Sequence, residues 1–151
     1  MAPAIEKDII VKRINGIQQE LAALYELGKM RFDEFQNNKG LELGQYHLHR
    51  ALEGVFNIGS HIISRIPGGQ ATQYSEIALK LGEFGIVDKK FAEEKLVQMA
   101  RYRNRLVHFY AEVTAEEVYN IIHDNLVDIE TFLESVKNVL EHPDQVGLIV
   151  E

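Results

Sequence analysis

Ile10, Ile14, Ile17, Leu21 and Leu24 recur at alternating steps of four and three, which places these aliphatic side chains on one stripe of a helix. The same period returns further along the chain. Leu48, Leu52, Val55, Phe56, Ile62 and Ile63 make a second stripe, and Val118, Ile122, Ile129, Phe132, Leu133, Val136 and Leu140 make another. No stretch alternates apolar and polar residues as a half-buried strand would. Such stripes leave water only by packing on one another, so the expected fold is all-α: an antiparallel bundle of four long helices plus one short helix.

Punctuation residues set the expected boundaries. The first helix runs from about Ile5 to Phe35 and is ended by Asn37-Asn38-Lys39-Gly40. The second covers about Leu41 to Ile66, where Pro67-Gly68-Gly69 stops it. Ser75 is a candidate N-cap for the short third helix, which finishes near Gly82 or Gly85. Asp88 is a candidate N-cap for the fourth, which extends to about Tyr110. Thr114-Ala115-Glu116-Glu117 has the capping-box spelling and opens the fifth, with Pro143 beyond its end. No repeat or linker divides the chain, so residues 1–151 are expected to form one domain with its core over about 5–140. Residues 143–151 form a short apolar tail that the helical pattern does not explain.

The 151 residues suffice for a core without staples, and 46% apolar with 26% charged residues is globular composition. With no cysteine, disulfides, thiolate metal sites and cysteine nucleophiles are excluded. The N-terminal residues Met1-Ala2-Pro3-Ala4-Ile5-Glu6 lack the basic start and apolar run of a secretory leader. No apolar run approaches the roughly 18 residues of a membrane span. A cytoplasmic protein without a membrane partner is expected. The net charge of −7 argues against broad binding to polyanions, so any RNA contact needs a local basic patch.

The fourth helix supplies such a patch and an anomaly within it. At 100° per residue, Leu96, Met99, Ala100, Leu106, Val107 and Tyr110 all project within about 60° of Arg103. Arg103 therefore lies in the apolar stripe, where an unpaired charge costs several kcal/mol. It needs a partner or a purpose. Glu53 on the second helix is the candidate structural partner, on an edge shared with Asn57, Ser60 and Ser64 that is either a solvated face or the wall that pairs Arg103. His108 projects about 140° from Arg103, near Asn104 one turn earlier, on the side that carries Arg101 and Arg105. A histidine among arginines suits phosphate better than a metal. Because Arg103 and His108 diverge on one helix, fraying of the last turn or a second copy across a two-fold axis is needed to converge them.

Metal binding by His47, His49, Glu53, His61 and His123 is the weaker alternative. His47 and His49 lie about 200° apart on a helix, and the Glu-x-x-His spelling of di-iron bundles is missing. His47, His49 and His123 are expected at the surface, with His49 and Glu53 an ordinary i,i+4 pair. No metal or other cofactor is expected.

Arg103-Asn104-Arg105-Leu106-Val107-His108-Phe109-Tyr110 resembles the R-x-x-x-x-H-x-Y motif of HepT-like toxins in the HEPN superfamily. The helical context resembles it as well: Met99-Ala100-Arg101-Tyr102 before the motif, Arg50-Ala51-Leu52-Glu53 and Ile58-Gly59-Ser60-His61-Ile62-Ile63 upstream, Tyr74-Ser75-Glu76-Ile77, and Glu117-Val118-Tyr119. The resemblance covers roughly residues 5–140. It implies a toxin–antitoxin pair in which this chain is a homodimeric, metal-independent endoribonuclease. The implied antitoxin is an MntA-like minimal nucleotidyltransferase that silences the toxin by AMPylation of the motif tyrosine, here Tyr110. Phe109 occupies a variable position where many relatives carry a polar or charged residue.

Metal-free RNA cleavage needs a group to take the 2′-OH proton, a group to protonate the leaving oxygen, and positive charge at the phosphate. His108 fits proton transfer, alone or with its symmetry mate. Arg103 offers its fork of donors, Arg101 and Arg105 add RNA phosphate-binding charge, and Asn104 can orient the imidazole or touch the phosphate. The alternative reading is a non-catalytic substrate-binding subunit of a two-chain nucleotidyltransferase.

Overall fold

The computed structural model describes residues 4–151. Residues 1–3, which began the N-terminal segment read above for a leader, lie outside the described residues. The helices are α1 (Lys7–Gly28), α2 (Phe32–Asn37), α3 (Gly40–Ser64), α4 (Tyr74–Glu83), α5 (Lys89–Phe91), α6 (Val97–His108), α7 (Ala115–Asp124) and α8 (Leu126–Glu141). A π turn, Ala92–Leu96, joins α5 to α6 without a break. The architecture is the all-α bundle that the stripes require. Helix α3 is its centre and packs on α1, α4, α6 and α7. Ile10, Ile14, Ile17, Leu21 and Leu24 are all buried, as are Leu48, Leu52, Val55, Phe56, Ile62 and Ile63 from α3. Among the described residues, no helix is long and apolar enough to cross a membrane.

The caps read from the sequence form at two of three sites. Asp88 accepts from Phe91 N–H at 3.1 Å and Thr114 accepts from Glu117 N–H at 3.2 Å. At the third, α4 begins one residue before Ser75, and its N-cap, Gln73, makes no side-chain capping bond.

Two expected helices are each divided in two. The first does not run from Ile5 to Phe35; it stops at Gly28 and resumes as α2. The break is stabilised from α7: the Tyr119 hydroxyl donates to the Met30 carbonyl at 2.6 Å, and the His123 ring lies 2.8 Å from the Gly28 carbonyl. These contacts satisfy carbonyl groups a helix end leaves open. The turn swings Phe35 fully into the core, where it meets Tyr119 edge to face with ring centres 5.2 Å apart. The fifth helix divides at Asn125 into α7 and α8, and the fourth ends at His108, so Tyr110 falls in a separate 3₁₀ turn, Tyr110–Glu112.

The tail and the residues before α1 form the only pairing of strands among the described residues. Strands β1 (Ala4–Ile5) and β2 (Ile149–Val150) run parallel, with Ala4 opposite Ile149 and Ile5 opposite Val150. Gly147, at φ +73°, turns the chain out of a 3₁₀ turn so that Leu148 is buried.

Candidate functional site

Arg103 leaves α6 into a frame built by α3 and α4. Its Nε donates to Glu53 Oε1, its Nη1 donates to Asn104 Oδ1 at 3.1 Å, and its Cζ lies 4.3 Å from the centre of the Tyr74 ring. The second Glu53 oxygen accepts from the Tyr74 hydroxyl at 2.9 Å, and Tyr74 stacks on Phe56 at 5.1 Å. His49 Nε2 approaches Glu53 Oε1 at 3.3 Å. One carboxylate thus receives an arginine, a phenol and an imidazole from three helices. Burial alone raises the Glu53 pKa, but hydrogen bonds from Arg103 and Tyr74 and the charge of Arg103 outweigh it and hold the group below its ordinary value. The Arg103 side chain is 21% exposed, so the charge is half-buried and paired. The Nη2 end of its fork has no hydrogen-bond partner among the described residues.

The expected partner of Arg103 is therefore in place, while the other residues of that edge, Asn57, Ser60 and Ser64, are exposed. Asn104 serves Arg103, and no hydrogen bond links it to His108 among the described residues. Arg101 is exposed. Arg105 is engaged elsewhere: it pairs with Glu117 on α7, donates to the Glu112 carbonyl at 3.3 Å, and lies over Tyr102. Glu117 also accepts from the Tyr102 hydroxyl at 3.0 Å; burial, with the charge and hydrogen bond of Glu117, pushes that phenol well above its ordinary range. This cluster ties the motif helix to α7 and leaves Arg101 the more available of the two flanking arginines.

His108 is the last residue of α6 and is exposed. Phe109, at φ −134° and ψ 33°, leaves helical geometry, and its ring sits edge-on to His108 with centres 6.5 Å apart. The projection that set Tyr110 beside Arg103 does not apply past the helix end. Tyr110 is 63% exposed, and Gln45 Nε2 donates to its carbonyl at 2.9 Å, anchoring the turn to α3. Its phenol faces solvent, not the apolar stripe.

The histidines proposed as metal ligands are not gathered: among the described residues no group of three or more His, Asp or Glu side chains could hold a metal. His47, expected at the surface, is largely covered and lies 2.6 Å from Glu20 Oε2, whose other oxygen accepts from Arg50 at 2.8 Å. That trio bridges α1 and α3. Sequence reasoning missed Tyr74, Gln45 and Tyr102 as elements of the site frame, because each acts through a contact between distant segments that no local spacing announces.

The arrangement defines a helical bundle with an Arg-Asn-His set in which the arginine is held on a fixed frame and the histidine is exposed at a helix end. The family model for HepT-like ribonucleases matches residues 17–136, and the chain belongs to that family. It is 23% identical over 137 residues to the tRNA nuclease HepT of Aphanizomenon flos-aquae, covering 90% of this chain and 92% of that protein. Its fold is similar to the solved structure of YutE, a cytosolic protein of unknown function from Bacillus subtilis, with a TM-score of 0.79, 22% identity, and 95% of each chain covered.

Proposed function

We propose that this chain is a metal-independent RNA endonuclease in which Arg103 holds the scissile phosphate and His108 transfers a proton. The observation that carries this is the contrast within the motif. Glu53, Asn104 and Tyr74 immobilise one side of the Arg103 fork, and His108 is left exposed at the end of the same helix. A fixed fork meets a phosphate without reorganising, and an exposed imidazole at a helix end can reach a leaving oxygen. Asn104 acts by positioning Arg103, and Arg101 supplies further charge to the RNA. The family and the relative described as a tRNA nuclease make transfer RNA the first substrate to try.

The same reading makes the chain the toxin of a toxin–antitoxin pair, active in the cytoplasm as a homodimer with the two motifs close to the two-fold axis. Divergence of Arg103 and His108 on α6 supports the dimer, as do exposed Phe109 and Tyr110 beside the motif. The antitoxin is an MntA-like nucleotidyltransferase that AMPylates Tyr110. The exposed Tyr110 phenol is accessible for that transfer, and the added phosphate would pair with arginines that RNA needs.

The test is incubation of the purified chain with transfer RNA in the presence of chelator. Cleavage that persists in chelator and falls about 10²–10⁴-fold in His108→Ala and Arg103→Ala is expected. Intact RNA with a folded wild-type chain, and turnover only when a nucleotidyltransferase is added, would instead make it a substrate-binding subunit. Intact mass after incubation with the partner and ATP checks the modification: AMP is gained by wild type and not by Tyr110→Phe.

A further inference from the structure

Cleavage through a 2′,3′-cyclic phosphate needs a base as well as an acid, and His108 can be only one of them in a given step. Among the histidines, His49 is the one that shares an oxygen with Arg103. Its Nε2 and the Arg103 Nε both reach Glu53 Oε1, so imidazole and guanidinium sit on either side of a single atom. Glu53 is also held at its other oxygen by Tyr74, which favours the orientation that faces the imidazole. A proton on Nε2 directed at a carboxylate sets the ring tautomer and leaves the Nδ1 lone pair to accept one. This is the logic by which a carboxylate orients a histidine base in acyl transfer. His49 is also open to a ligand: its side chain is 41% exposed and lines a groove of ≈ 390 Å³ between α1 and α3 with Arg13, Gln19, Arg50, Glu53 and Asn57. A pair serving only to neutralise Glu53 would be redundant, since Arg103 already does so.

We propose that His49 is the general base of the reaction, oriented by Glu53 and acting beside the phosphate held on Arg103. This rests on the ribonuclease reading above. Nδ1 of His49 takes the proton of the 2′-OH, and the 2′-oxygen forms its bond to phosphorus. The bond from phosphorus to the 5′-oxygen breaks, and protonated His108, from the same copy or the symmetry mate, gives its proton to that oxygen. The products are a 2′,3′-cyclic phosphate and a free 5′-hydroxyl, with no net change in protons on the two histidines taken together. Glu53 is a positioning residue.

The experiment separates base from acid by the leaving group. Wild type, His49→Gln and His108→Ala are assayed on a short RNA with an ordinary 5′-oxygen and on one with sulfur bridging at that position, since a thiolate departs without a proton. His49→Gln should lose about 10²–10⁴-fold on both substrates, whereas His108→Ala should lose as much on oxygen and recover on sulfur. RNA affinity of His49→Gln should stay within about threefold of wild type, which a loss of binding would not. His49→Asn gives the same readout if the glutamine variant fails to fold. The proposal is overturned if His49 variants keep wild-type rates, or if sulfur rescues them as it rescues His108→Ala. A folded wild type that leaves both substrates intact overturns the ribonuclease reading itself, and this one with it.

Discussion

Arg103 gives its Nε–H to the Glu53 oxygen that His49 also approaches, so the helix bearing the motif and the central helix of the bundle are joined at one carboxylate. The two residues are not equivalent. Arg103→Ala leaves Glu53 with the Tyr74 hydroxyl and His49, whereas Glu53→Ala strips all three donors of their acceptor at once. We expect Arg103→Ala to cost about 1 kcal/mol or less and Glu53→Ala about 1–3 kcal/mol. Urea unfolding of the two variants checks the order, and equal or reversed losses would show that the carboxylate is not the hub.

Acid should expose the same asymmetry. Burial raises Glu53, but bonds from Arg103 and Tyr74 lower it further; burial raises Glu20, but Arg50 and His47 bring it down. A carboxylate whose folded pKa lies below the unfolded value of 4.5 adds stability above 4.5, and that stability disappears as pH falls through its folded pKa. The urea midpoint of wild type should therefore fall on acidification below pH 4.5, with a shallower fall in Glu53→Gln. An unchanged slope would count against a depressed Glu53.

Gly44 lies where α3 packs against Val118 of α7. A Cβ there would come 2.6 Å from Val118 Cγ1, and both residues are buried. Gly44→Ala gains helix propensity of roughly 1 kcal/mol but forces the two helices apart, an overpacking cost of about 1–3 kcal/mol. A net loss of stability is expected, relieved by Val118→Ala in the double variant. Additive losses in a double-mutant cycle would refute the contact.

The pattern of the residues carries most of the helices but not where they bend. Leu21, Leu24 and Leu27 keep helical spacing up to Gly28 and Phe35 continues it, so nothing local marks the break that Tyr119 and His123 stabilise from 89 and 95 residues away. The caps of Asp88 and Thr114 were legible because donor and acceptor lie three residues apart. At the site, the conflict between the charge of Arg103 and its apolar stripe pointed to Glu53 across 50 residues of sequence. Where Tyr110 lies relative to Arg103 was not legible, because a helical projection holds only as far as the last helical residue, His108.

Leu148 closes the end of the bundle that the helical pattern left unexplained. It is 2% exposed, and the strand after it is joined to the N-terminal segment, with Glu151 N–H to the Ile5 carbonyl and Lys7 N–H to the Glu151 carbonyl, both at 2.8 Å. Leu148→Ala should cost about 2–4 kcal/mol by leaving a cavity in the core. Thermal unfolding measures this; a loss under about 1 kcal/mol would mean that the tail contributes little.

His61 makes that same end sensitive to pH. Its Nε2 accepts the Glu6 N–H at 3.3 Å, and Arg65, which holds the Glu6 carboxylate at 3.0 Å, lies beside it. Burial, then the charges of Arg65 and Arg13, depress the imidazole below its ordinary 6.5, and the opposing charge of Glu6 does not cancel them. The unfolded chain therefore binds a proton at a higher pH than the folded one. Stability is full above 6.5, declines as pH falls toward the folded pKa, and levels off below it. Protonation also removes the lone pair that receives the Glu6 N–H, so the loss should be felt first at β1. We expect the Glu6 amide to exchange faster, relative to its intrinsic rate, on moving from about pH 7.5 to about 5.5, and the urea midpoint to fall in parallel. His61→Gln offers an amide oxygen as acceptor that does not titrate in this range, so it should flatten both responses. Should the glutamine variant lose stability over that interval as steeply as wild type, the pH response belongs to another group and His61 is only a packing residue beneath Glu6.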